Sequence, residues 1–203
     1  MQQSPSDKRA KTTLTIVQLG LLTAVVIVLQ LLGSFIRFGP FSVSLVLVPI
    51  VLGAVLHGPL AGGWLGLVFS VTVLLSGDAA LFLTYNPFGT VVTVLVKGTA
   101  AGALAGLVYL LCKKINKYVG VLAAAVVCPV VNTGLFLAGC MVFFYDAIPN
   151  IAEAIGVPFP GNPLTFVITV LIGFNFIFEL IFNIVLAPVI VRVSDLVAGR
   201  FRK

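Results

Sequence analysis

The sequence predicts an all-α integral membrane protein, a bundle of six transmembrane helices with both termini in the cytoplasm. Three observations predict it. Of the 203 residues, 60% are hydrophobic and 9% charged, and the mean hydropathy is +1.21, whereas a soluble domain carries about 25% charged residues. Six apolar runs follow one another, most of them near the ~20 residues (range 17–25) that cross a hydrocarbon core. Lysine and arginine gather in short segments between and beyond those runs, as topology signals do. The chain therefore reads as a single membrane domain, 1–203, with an arm at 1–12, the bundle at 13–192 and a basic tail at 193–203.

The elements follow in order. Lys8, Arg9 and Lys11 precede an uncharged run from 12 to 36. That run is longer than the roughly 7–15-residue core of a signal peptide and has no clear small-residue exit, so it reads as a retained first span, 13–35. The second span, 42–56, is short; it either stops before one interface or continues outward through the Phe38-Gly39-Pro40-Phe41 turn. His57-Gly58-Pro59 separates it from the third span, 59–76. The fourth span is 88–111, the fifth 119–145 with Pro129 inside it, and the sixth 164–191. Gly62 and Gly66 in the third span, and Gly98, Gly102 and Gly106 in the fourth, recur every fourth residue. Such ridges let backbones approach closely, and here they predict packing between those two helices. Gly20 and Ala24 form a further small pair in the first span.

Orientation comes from the bases. Lys8, Arg9 and Lys11 precede span one, Lys113, Lys114 and Lys117 separate spans four and five, and Arg192, Arg200, Arg202 and Lys203 follow span six. An even number of spans puts all three groups on one side, with Arg37, Asp78, Asp146 and Glu153 on the other, so the positive-inside rule places both termini in the cytoplasm. The connection 146–163 is rich in proline and glycine yet also holds Ile151, Ile155, Val157 and Phe159. Loops of this length are often lids or binding loops, so it is expected either to cap an external cavity or to pack as a plain loop.

Chemistry concentrates on a few intramembrane polar residues. Lys97 is the sole charge between residues 79 and 112. A lysine at mid-membrane costs about 2.5–3.5 kcal/mol on insertion scales and is retained where it faces a partner or cavity. Asn86, Thr90, Thr93 and Lys97 lie at i, i+4, i+7 and i+11, one stripe of a helix. Asn175, Glu179 and Asn183 share a face of span six, and Asn132 follows Pro129 with Thr133 and Gly134 beside it. Glu179 is the one acid well inside a span, so Lys97 either pairs with it or meets an anionic ligand group. The asparagines both donate and accept, as suits hydroxyl and amide groups. Phe38, Phe41, Phe82, Tyr85 and Phe88 sit near span ends, where they either form an interfacial belt or pack on a ligand.

Other classes find little support. The net charge of +6 is not arranged as an interleaved basic and aromatic surface, which argues against nucleic acid. Cys112, Cys128 and Cys140 have no metal-ligand or redox spacing and read as small buried apolar residues. His57 is the single histidine, and there is no H-E-x-x-H, G-x-S-x-G or P-loop motif. No enzyme, metal site or cofactor is expected.

The chain resembles the membrane-embedded substrate-binding subunits (S components) of energy-coupling factor vitamin transporters. The segments that carry the resemblance are Ser44 through Ala54 with Gly58-Pro59-Leu60-Ala61-Gly62, then Asn86-Pro87 through Lys97-Gly98, then Pro129 through Gly134, with Asn175 through Asn183 fitting the same pattern. The Asn-Pro and Asn-Thr elements look most like the pantothenate-type members. Those often carry an arginine in span four, where this chain has Thr93-Val94-Leu95 and its cation at Lys97. The resemblance implies a six-helix subunit of a prokaryotic plasma membrane that captures a water-soluble vitamin or precursor from outside. It implies a transmembrane coupling subunit and two ATPase subunits as partners, with Gly20 and Ala24 matching the coupling face of span one. The substrate contacts expected are Asn86, Thr90, Thr93, Lys97, Asn132, Asn175 and Glu179. The alternative is a self-sufficient, proton-coupled secondary transporter in which Lys97 and Glu179 form a proton relay.

Overall fold

The computed structural model describes residues 5–35, 37–38, 41–42 and 45–200, and it is helical almost throughout. Helix α1 runs Pro5–Phe35 and leads into a two-residue antiparallel pairing of β1 (Arg37–Phe38) with β2 (Phe41–Ser42). Then come α2 (Leu47–His57), α3 (Pro59–Leu75), the short α4 (Ala80–Tyr85), α5 (Pro87–Cys112) and α6 (Lys117–Phe143). A single 3-10 turn and α7 (Ile148–Ala154) form the connection to α8 (Pro163–Phe166), which passes through a π-helical stretch at Val167–Ile172 into α9 (Gly173–Arg200).

Four of these helices are long and apolar enough to cross a membrane: Thr12–Ser34, Pro87–Cys112, Lys117–Phe143 and Asn175–Val197. The second predicted span is the one that departs most. It begins at Leu47 rather than at 42, because Ser42 is held in the β-pairing, and its 11 residues extend only about 16 Å at 1.5 Å per residue. Helix α3, at 17 residues, reaches about 25 Å. The predicted tail is a helix as far as Arg200: α9 does not stop at 191, and Lys117 at the start of α6 pairs with Asp195 on its last turns. The predicted arm likewise belongs to α1 from Pro5 onward.

Local sequence explains the boundaries. Gly58 takes φ of 90°, a left-handed conformation that turns α2 directly into α3, and Pro59 supplies the first residue of α3 without an N–H to satisfy. Asn86 caps α5 by accepting from Gly89 N at 2.8 Å, and Asn116 caps α6 by accepting from Tyr118 N at 2.7 Å. Pro129 sits buried inside α6, where it removes one backbone hydrogen bond three residues before Asn132.

Helices α3 and α5 pack antiparallel along a ladder of small residues. Ser70 Oγ lies 2.7 Å from Val94 O. One turn further on, a side chain at Gly66 would strike the carbonyl of Gly98; after another, one at Gly62 would strike Gly102; and Gly106 abuts Pro59. Four rungs, spaced every four residues along α5, bring the two backbones into contact and fix their register, because apolar side chains gain little by leaving lipid whereas backbone contact is lost if either helix slides. The glycine ridges predicted to pack these two helices do so.

Two apolar cores result. The larger joins Leu47, Ile50, Val51, Leu65, Phe69, Ala101, Ala105, Val121, Ala124, Cys128 and Ile190 across α2, α3, α5, α6 and α9. The smaller gathers Phe82, Cys140, Phe144, Ile148, Ile151, Phe166, Val167 and Leu171. The apolar residues of the 146–163 connection are thus folded inward: Ile148 and Ile151 are fully buried, and α7 is packed on the bundle. Cys128 and Cys140 serve these cores as small buried residues.

Candidate functional site

A cavity of about 840 Å³, its open mouth included, lies at the seam between the two cores. Phe69, Val73, Ala79 and Val94 line it from the larger core, and Phe82, Phe144 and Leu171 from the smaller. Its walls are apolar with a few polar groups, as small-molecule sites are.

Most of the polar groups come from three helices. Helix α5 contributes Thr90, Thr93 and Lys97; α6 contributes Asn132 and Thr133; α9 contributes Asn175 and Glu179. The α3–α5 ladder sets where the first group points, since Thr93 immediately precedes the Ser70–Val94 rung and Lys97 the Gly66–Gly98 rung. Thr93 is further pinned against α6, where a side chain on Gly139 would collide with it. On α9, Asn175 and Glu179 are one turn apart, and Asn175 Nδ2 donates to Glu179 Oε1 at 3.3 Å. Asn183, one turn beyond, donates to the Glu179 backbone carbonyl at 2.8 Å and is not among the lining residues.

Several of these side chains have unused hydrogen-bonding capacity. Thr93 Oγ1, Asn132 Oδ1 and Asn175 Oδ1 are buried without a partner. Thr93, Asn132 and Glu179 expose 6%, 5% and 3% of their surface, so little water reaches them. The Lys97 ammonium lies 5.3 Å from the centre of the Phe136 ring and 5.7 Å from that of Phe69. That is cation–π distance, the arrangement that holds a cation in an apolar wall while leaving its N–H groups available. Lys97 and Glu179 share the cavity, yet among the described residues no ion pair within 4.0 Å joins them.

Six of the seven predicted contacts thus meet around one space. Asn86 stands apart: its side chain caps α5, and its Nδ2 donates to Phe143 O at 3.2 Å, tying α5 to the end of α6. Of the aromatics, Phe82 lines the cavity, whereas Tyr85 donates its hydroxyl to Asn150 O at 3.2 Å and Phe88 stacks edge-on against Phe143. The side chains of Phe38 and Phe41 lie outside the described residues.

The family model described as ECF transporter, substrate-specific component, matches residues 14–191. The chain belongs to that family. No curated protein and no solved structure matches the chain. As an ECF substrate-specific component it is the substrate-binding, multi-pass membrane subunit of an importer that works with coupling and ATPase subunits.

Sequence reasoning about this substrate-specific component missed part of the cavity wall. Gln30 of α1 lines it and donates from Nε2 to Asp78 Oδ2 at 2.7 Å, joining α1 to the turn before α4. Ser76 Oγ reaches the same oxygen at 3.3 Å. Gln30 is 2% exposed, and a glutamine deep in a predicted span was the available signal. Phe69, Phe136 and Phe176 also face the cavity. Nothing distinguishes them in sequence from other aromatic residues of the spans.

Proposed function

We infer that this subunit captures a water-soluble vitamin or vitamin precursor in the α5–α6–α9 cavity. Thr90, Thr93, Lys97, Asn132, Asn175 and Glu179 make the contacts in this reading, and Asn86 holds the frame. The observation that carries it is the convergence of buried, partnerless polar atoms with a lysine on one apolar-walled space. Buried polar groups without partners are costly, and a ligand supplies those partners.

The reading extends to the membrane. The subunit crosses a prokaryotic plasma membrane six times, with α2 and α3 as short spans two and three and both termini in the cytoplasm. The α4 and α7 end then faces outward, where the cavity receives substrate. Gly20 and Ala24 sit exposed on α1, and a side chain at Gly20 would meet nothing within 4 Å, which supports a docking face for the coupling subunit. Two ATPase subunits supply the energy, and the whole subunit tilts to release substrate inside. The sequence pattern is similar to the pantothenate-type members, and the absence of an arginine at 93–95 separates the two at the site.

The test is a thermal-shift and calorimetric screen of the purified protein against water-soluble vitamins, followed by Lys97→Ala. A saturable hit weakened at least tenfold by the substitution supports the reading, and unchanged affinity removes Lys97 from the site. The placement of Lys97 and Glu179 on one cavity also suits a proton-coupled carrier. Vesicle uptake separates the two: a carrier works alone on a proton gradient, whereas the importer subunit needs ATP and its partners.

A further inference from the structure

The cavity is electrically two-sided. Lys97 brings three N–H donors, and its ammonium lies over the rings of Phe69 and Phe136. Glu179 brings a carboxylate with about four acceptor positions, of which the Asn175 amide uses one through a long 3.3 Å bond. Around it Asn132 Oδ1 and Asn175 Oδ1 are unused acceptors, and the Thr93 hydroxyl can act either way. Asp78, the other charged residue at the wall, already accepts from Gln30 and Ser76. The demand on a ligand is therefore asymmetric. One end must present acceptors to an ammonium; the other must present donors to a carboxylate and two amide oxygens.

Charge balance narrows this further. Lys97 stands on one wall with Glu179 and a second carboxylate, Asp78, on others, so a simple anion would leave carboxylates facing added negative charge, and a simple cation would leave Lys97 facing added positive charge. In an apolar-walled space such like-charge contacts are poorly screened and heavily disfavoured. A molecule carrying both signs meets both partners and adds no net charge.

We propose that the substrate is zwitterionic, with an anionic group held by Lys97 and a protonated amine held by Glu179 and Asn175. Its body is apolar or aromatic and lies among Phe69, Phe136 and Phe176. This rests on the cavity being the substrate site.

The experiment is isothermal titration of the purified full-length protein at neutral pH with a panel of water-soluble vitamins, their precursors and amino acids. The panel is grouped as zwitterions, monoanions, monocations and neutral solutes. The tightest binder is expected among the zwitterions, and its N-acetyl and carboxamide derivatives, which each remove one charge, should bind at least tenfold more weakly. Lys97→Met and Glu179→Gln should each weaken it at least tenfold, while Lys97→Arg and Glu179→Asp, which keep the charges, retain most of the affinity and show that the fold tolerates change there. A tightest binder of single charge overturns the inference and leaves the vitamin-capture reading standing, as does a zwitterion unaffected by either charge-removing variant. Absence of saturable binding by the whole panel overturns both.

Discussion

Thr90 and Thr93 lie one turn apart on the same wall, yet they have different chemistry to offer. Thr90 Oγ1 donates to the Asn86 carbonyl at 2.8 Å, whereas Thr93 Oγ1 has no partner. Replacing Thr93 by valine removes a buried unsatisfied hydroxyl with little change of shape. It should leave the thermal stability of the ligand-free protein unchanged, or raise it by about 1 kcal/mol, while weakening ligand binding about tenfold. Thr90→Val should change binding far less. Asn86→Ala makes the opposite contrast: losing the α5 cap and the bond to Phe143 should cost about 1 kcal/mol in thermal unfolding, with ligand affinity retained once the protein is folded. These residue roles were legible only in part. The i, i+4, i+7, i+11 spacing put Asn86 on the polar stripe, but spacing does not reveal that its position at a helix start commits its side chain to backbone groups.

At the scale of elements, the α3–α5 ladder is the feature on which the site's geometry depends. Gly66 and Gly98 meet through backbone atoms that cannot move aside. Gly66→Leu should therefore separate the helices, lower thermal stability by at least about 2 kcal/mol, and abolish ligand binding because Lys97 shares a turn with Gly98. Gly20→Leu is the control: the space around it is open, so stability and ligand affinity should be unchanged. If α1 docks the coupling subunit, the same variant loses ATP-dependent uptake in reconstituted vesicles; normal uptake would remove Gly20 from the interface. The glycine period made the ladder visible in sequence because close helix approach in lipid requires small residues at each turn. Span two, 42–56, was already short in the sequence; its later start at Leu47 was not visible, since hydropathy measures only how apolar a segment is, and the pairing of Arg37–Phe38 with Phe41–Ser42 competes for its first residues.

For the whole molecule, the two cores and the cavity between them explain why the 146–163 connection is apolar. Ile148 and Ile151 complete a cluster with Phe82 and Phe144, and both of those phenylalanines line the cavity. The connection therefore supports the cavity wall from behind. Ile151→Asp should lower thermal stability by roughly 2–4 kcal/mol by burying an unpaired charge and loosen ligand binding through Phe144. The Lys117–Asp195 pair at the other end is partly exposed, at 33% and 56%, so Asp195→Asn should shift stability by less than about 1 kcal/mol.

Composition and the position of charge were enough, by themselves, to determine that this chain belongs in a membrane as a helical bundle. An apolar chain in lipid must satisfy its backbone within each segment. They also determined that Lys97 and Glu179 face the interior, since neither belongs against acyl chains. Tertiary structure alone decided that three helices bring Thr93, Lys97, Asn132, Asn175 and Glu179 to one cavity, and that Gln30 and Asp78 join it from α1 and a turn. Helical periodicity fixes which residues share a face. Which faces meet is settled by packing between segments far apart in the chain, and here that packing follows the glycine ladder.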